Sequence, residues 1–177
     1  YYHPLKRRFQ HLQLANRSSI RNHNVTGCIR EDADGNLWIG TSGNGLYCYN
    51  PHSQKTTSYT LQNGLKSNDI KTIYIDYKNK LTYVGTHIGG MYIIHQQSGK
   101  VEPLDFAGNK NIYAIEPDQQ GNLWLSGLSQ ILYYRPTDRK AEKVKIDRPA
   151  LMSGITFIFR DRKDRLWIGG KNGIDTF

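Results

Sequence analysis

VTGCIREDADGNLWIGTSGNGLYCYN, residues 25–50, holds three short β-rich runs separated by two turn signals. Val25–Glu31 reads as a first strand, and Asp32-Ala33-Asp34-Gly35-Asn36 as the turn that ends it. Leu37–Thr41 is a second strand, and a Gly-rich corner leads to a third at Gly45–Asn50. The more polar Thr56–Leu61 follows as a fourth strand of the kind that suits an outer edge. One polypeptide segment thus reads as a four-stranded antiparallel unit.

The unit recurs. IKTIYIDYKNKLTYVGTHIGGMYIIH (70–95), IYAIEPDQQGNLWLSGLSQILYYRP (112–136) and ITFIFRDRKDRLWIGGKNGIDTF (155–177) align with it. Trp38, Tyr83, Trp124 and Trp167 form one column, spaced by 45, 41 and 43 positions. That period is the length of a propeller blade, a sheet that cannot bury its face alone and stacks on its neighbours. The column aromatic is expected to fill the wedge between radial sheets. Gly40, Gly85 and Gly169, two positions later, are expected where a Cβ would hold those sheets apart, and Ser126 departs from the pattern. The fold class is therefore all-β, a propeller segment of about four four-stranded blades that does not close a ring as a single chain. Blades are expected at about 20–62, 68–107, 111–147 and 154–177, with 8–14 as an outer strand.

Composition agrees. Of 177 residues 37% are hydrophobic and 11% aromatic, with 12 Tyr, 17 Gly and no helical periodicity. No run approaches the ~18 apolar residues of a membrane helix. The net charge of +9 is uneven: residues 1–30 carry +6, 31–134 carry −2 and 135–177 carry +5. Basic ends around an acidic middle do not make a nucleic-acid stripe, so nucleic acid is not an expected partner.

The pattern Asp-x-x-Gly-Asn-Leu-Trp-Ile-Gly-Thr stands at Asp32–Thr41, and Asn-Gly-Leu-x-Ser-Asn-Asp-Ile at Asn63–Ile70. Weaker copies stand at Asp118–Gly127 and Asp161–Gly170. These resemble the two-component regulator propeller repeat, over about residues 18–177. The resemblance implies a seven-bladed sensor propeller in the periplasmic region of a hybrid two-component receptor, anchored in the inner membrane. The kinase and the membrane helix would lie outside this segment. It also implies a fragment, completed by a second copy or by the rest of the receptor. The expected function is sensing of a neutral or anionic oligosaccharide; the alternative is a protein–protein scaffold without a small ligand.

In such a fold the corners after the second strands share one face with the loops that lead into the innermost strands. Candidate ligand-binding residues there are Asn44, His87, Gln130, Lys171, Asn172, Asn68 and Asp69, with Thr41, Ser42, Ser67, Asn22 and Asn24 beside them. Their amides, hydroxyls and imidazole suit hydrogen bonding to a sugar, and Lys171 suits an anionic group. Asp32-x-Asp34-Gly35-Asn36 resembles the start of a calcium loop but lacks its late glutamate, and reads as a hairpin turn. The six His never reach a metal spacing, and no nucleophile motif is readable, so no metal, cofactor or catalytic residue is expected. Cys28 and Cys48 lie on the first and third strands of one unit, too far apart to bridge, and are expected as buried free thiols.

Overall fold

The computed structural model describes residues 2–3, 8–9, 24–105, 111–146 and 154–176. A hairpin of β1 (Tyr2–His3) and β2 (Arg8–Phe9) stands by itself. Arg8–Phe9, the start of the expected outer strand 8–14, pairs with Tyr2–His3, and residues 10–14 lie outside the described residues.

Four sheets follow in chain order. Blade 1 consists of β3 (Asn24–Glu31), β4 (Leu37–Ser42), β5 (Leu46–Asn50) and β6 (Lys55–Tyr59). Blade 2 consists of β7 (Ile70–Asp76), β8 (Leu81–Thr86), β9 (Met91–His95) and β10 (Val101–Leu104). Blade 3 holds β11 (Ala114–Pro117), β12 (Leu123–Ser126), β13 (Ile131–Arg135) and β14 (Lys140–Val144). Blade 4 holds three described strands, β15 (Ile155–Arg160), β16 (Leu166–Gly170) and β17 (Gly173–Thr176). Each sheet is an antiparallel meander in sequence order. The first strand of each blade packs on the first strand of the next, so β3, β7, β11 and β15 stand innermost. The described strands form a four-blade propeller segment, as the repeat implies.

The column aromatics do what the period requires. Trp38 (1% exposed) joins a cluster with Ile70, Ile73 and Ile75 of blade 2. Tyr83 joins Ile112, Ile115 and Leu125 of blade 3, and Trp124 packs against Ile155, Ile158 and Ile168 of blade 4. The glycines let these wedges close. A Cβ on Gly40 would collide with Cys28 Sγ and lie 2.8 Å from Ile70 Cγ2 across the seam. One on Gly85 would lie 2.7 Å from the Ile112 carbonyl oxygen, and one on Gly169 would enter the Phe157 ring.

The same glycines mark a register shift. β3 shifts between Val25 and Ile29, β7 between Ile70 and Thr72, and β15 between Ile155 and Phe157, each opposite its blade's glycine. Blade 3 has Ser126 in that place; its ladder ends there at Ala114, and the Tyr113 amide also donates to Ser126 O (2.9 Å). A bulge turns a side chain out of the alternating pattern, and in blade 2 that side chain is Lys71. The outermost strands β6 and β14 are mostly exposed, consistent with their polar sequences.

At the opposite end, the turn carboxylates are structural. Asp32 Oδ1 accepts from the amides of Asp34 (3.0 Å) and Asn36 (2.9 Å), and Oδ2 from the Trp38 indole (2.8 Å). Asp161 likewise accepts from Trp167 (3.0 Å). In blade 3 the Tyr133 hydroxyl takes that place, 2.5 Å from Asp118 Oδ2. Burial pushes the Asp32 carboxyl up, but the bonds from Trp38, Asn36 and Asp34 outweigh it and hold the group below its ordinary value. With these donors saturating it, the turn is a hairpin cap in the way the sequence suggested. Both cysteines are free; Cys28 is buried, and burial with the Asp32 charge pushes the Cys48 thiol up to about 11.

Candidate functional site

The face opposite those turns is knitted from blade to blade. Each corner after a second strand closes on itself: Thr41 Oγ1 donates to the Gly45 carbonyl (2.7 Å), and Thr86 Oγ1 to the Gly90 carbonyl (2.8 Å). In blade 3 the Gly127 amide makes the corresponding bond to Gln130 O (2.8 Å). The loop leading into each inner strand then docks on the corner before it. Asn68 O accepts from the amides of Gly43 (3.0 Å) and Gly45 (2.8 Å), and Ser42 bridges to Asp69. Asp69 O accepts from the His87 amide (2.9 Å), and Ile112 and Gly154 donate to Thr86 O and Leu128 O. Lys171 lies along Gly154, where an added Cβ would meet its Cγ at 3.0 Å.

All seven candidate residues lie on this face. Asn68 is committed to the architecture, since its Oδ1 also accepts from the Leu61 amide (2.9 Å). Asn44 and Gln130 are half-buried in their corners, while Lys171 and Asn172 are exposed on blade 4. Asp69 and His87 are brought together by the backbone bond between them. Of the neighbouring candidates, Asn22 lies outside the described residues.

Three residues around this pair escaped sequence reasoning. Lys71, the bulge residue, places Nζ 3.0 Å from Asp69 Oδ2, while Asp69 Oδ1 is buried without a hydrogen-bond partner. Tyr113 sets its hydroxyl 3.0 Å from His87 Nδ1, with the ring centroids 6.1 Å apart. Ile88 is 63% exposed at φ 66°, a left-handed conformation costly for a β-branched residue, and its amide donates to Asn111 Oδ1 (3.0 Å). A hydrogen-bonding group, an ion pair and an exposed apolar side chain thus converge at the mouth of the seam between blades 2 and 3. The only advance signal was Lys71's place opposite a repeat glycine. Among the described residues no three His, Cys, Asp or Glu gather as a metal site.

The profile of the two component regulator propeller matches residues 19–43 and 106–129. Two stretches of the chain thus match the two-component regulator propeller repeat. Among solved structures it is similar to the extracellular domain of the one component system BT4673 from B. thetaiotaomicron, with 22% identity and a TM-score of 0.81. That match covers 99% of this chain and 25% of the other. The extracellular domain of the hybrid two component system BT3049 from the same organism gives 21% identity and 0.78, over 99% and 24%. The computationally designed Ika4 protein gives 13% and 0.69, over 96% and 98%. The propeller repeats therefore span about a quarter of the length of the two Bacteroides domains. Among curated proteins no relative matches. These likenesses carry the fold.

Proposed function

We propose that these repeats belong to the ligand-sensing propeller of an extracytoplasmic receptor of the two-component type. The repeat family and the fold shared with extracellular domains of such systems support that reading. The receptor would sit in the inner membrane with this propeller in the periplasm. The ligand is an oligosaccharide held on the loop face, and its binding biases blade packing that is relayed to a kinase outside this segment. The observation that carries the reading is the group at the mouth of the seam, where Asp69, Lys71, His87 and Tyr113 offer acceptors and donors side by side. Ile88 beside them offers an apolar contact for the carbon face of a sugar. The segment itself does no chemistry in this scheme.

Titration calorimetry of the full-length protein against neutral, sulfated and uronic-acid oligosaccharides tests it. Saturable binding weakened at least tenfold by His87→Ala, and changed by Asn44→Ala or Lys171→Ala, is the expected result. Absence of binding across the whole panel would overturn the reading and leave a protein–protein scaffold in its place.

A further inference from the structure

Three seams of the array are closed, and the face beyond them is open. Leu46 pairs with Gly40, Met91 with Gly85 and Ile131 with Ser126, each opposite the position two residues after its column aromatic. All three are 0% exposed, because each clusters with an isoleucine that the next blade brings against it. Those isoleucines are Ile70, Ile112 and Ile155, likewise fully buried. Ile174 of β17 holds the same register opposite Gly169, and it is 63% exposed.

The rest of that face is apolar too. Phe159 pairs with Trp167 and Phe157 with Gly169, so these side chains project to the side on which the earlier blades meet their neighbours. Phe157 is 41% and Phe159 54% exposed, and Trp167 is half-buried, with the Arg165 guanidinium 5.2 Å from its ring centre. The Phe157 ring lies over Gly169 and fills from within blade 4 part of the room that Ile70 and Ile112 fill over Gly40 and Gly85. A contiguous apolar patch of this kind marks a surface that meets a partner.

The other end of the array does not offer the complementary surface. On the side of blade 1 away from blade 2, Ile39 and Tyr47 share a face with Ile29 and are already buried. A second copy laying its blade 1 on blade 4 would bring a face that is largely covered. The two Bacteroides domains, by contrast, carry this fold within longer polypeptides, of which the chain spans about a quarter.

We infer that the face of Phe157, Phe159, Trp167 and Ile174 is a fourth seam, closed in the full-length protein by a further blade of the same polypeptide whose first strand covers Ile174. The assignment rests on the packing of the three closed seams and stands whether or not the loop face binds a sugar.

Thiol labelling of the full-length protein tests it, comparing Ile174→Cys with Arg162→Cys on the exposed turn and subtracting the reaction of Cys28 and Cys48 in the parent. Ile174→Cys should react about a hundredfold more slowly than Arg162→Cys, and equally slowly over about a hundredfold dilution of the protein. Ile174→Asp, harmless on an open surface, should lower the melting temperature by more than about 5 °C, whereas Arg162→Asp should leave it unchanged. The inference is overturned if the two cysteines react alike, or if Ile174→Asp melts with the parent. Slow labelling that is lost on dilution overturns the assignment to the same polypeptide and gives the face to a second copy.

Discussion

In blade 1 the Asp32 carboxylate collects two backbone amides, the Asn36 side chain and the Trp38 indole, and Asn36 in turn accepts from Asn50 of the third strand. In blade 2 the corresponding Asp76 collects only Asn79 among the described residues, and Tyr83 stands in the seam without that tether. Both hairpins close, and both column residues are 1% exposed. Burial alone therefore holds a blade in the array. In blade 2, where neither the column residue nor the third strand bonds the turn carboxylate, a cavity lies beside Tyr83.

The largest effect should come from the shared term. Trp38→Ala should cost about 3–5 kcal/mol in urea unfolding, the usual loss for a fully buried large aromatic. Tyr83→Phe should cost less than about 1 kcal/mol, because no described carboxylate depends on its hydroxyl. A loss for Tyr83→Phe as large as that for Trp38→Ala would mean that the Tyr83 hydroxyl has a strong partner of its own.

The tether itself comes next. Asp32→Ala strips a turn cap and leaves the buried Trp38 N–H without an acceptor, which should cost about 2–4 kcal/mol. Asp76→Ala removes only a local turn contact on an exposed hairpin and should cost about 0.5–1 kcal/mol. Comparable values would refute the contrast between the two blades.

Much of this was legible in sequence because the period forces it. Trp38, Tyr83 and Trp167, with Gly40, Gly85 and Gly169 two positions on, and Trp124 with Ser126 fix the blades, and the seven-residue step from Asp76 to Tyr83 already marks blade 2 as different. What the spacing could not give is contact between blades. Lys71 reaches Asp69 only because a bulge re-aims it, and Tyr113 meets His87 only because a loop of blade 3 docks on a corner of blade 2. Glu102 and Arg139 are paired by the curvature of the array, which no local pattern encodes. Nor did the spacing show that Asn68, one of the candidate loop residues, is bonded into the framework of its corner.

The tether also titrates. Asp32 and Asp118 are held below the ordinary carboxylate value of about 3.9. For Asp118, burial again pushes upward and the bonds from Tyr133 and Asn122 outweigh it. A carboxylate depressed in the folded state contributes stability that is full above the unfolded value and is lost as pH falls through the folded one. The melting temperature should thus hold steady down to about pH 5 and fall steeply below about pH 4. Asp32→Asn should start lower and fall less over the same interval. A parallel fall in that variant would assign the acid sensitivity elsewhere.

The inner end of the same seams can be tested too. Gly40, Gly85 and Gly169 leave no room for a Cβ, and each sits at a register shift, whereas blade 3 carries Ser126 in the equivalent place. Gly85→Ala presses a methyl against the Ile112 backbone and should cost about 1–3 kcal/mol. Ser126 already has its Cβ accommodated, but its hydroxyl is buried without a partner. Ser126→Ala keeps the carbon and removes the unsatisfied oxygen, so it should raise stability by about 0.5–1 kcal/mol. A loss instead would show that the hydroxyl has a partner in solution, and blade 3 would then differ from its neighbours by a hydrogen bond as well as by a side chain at this place.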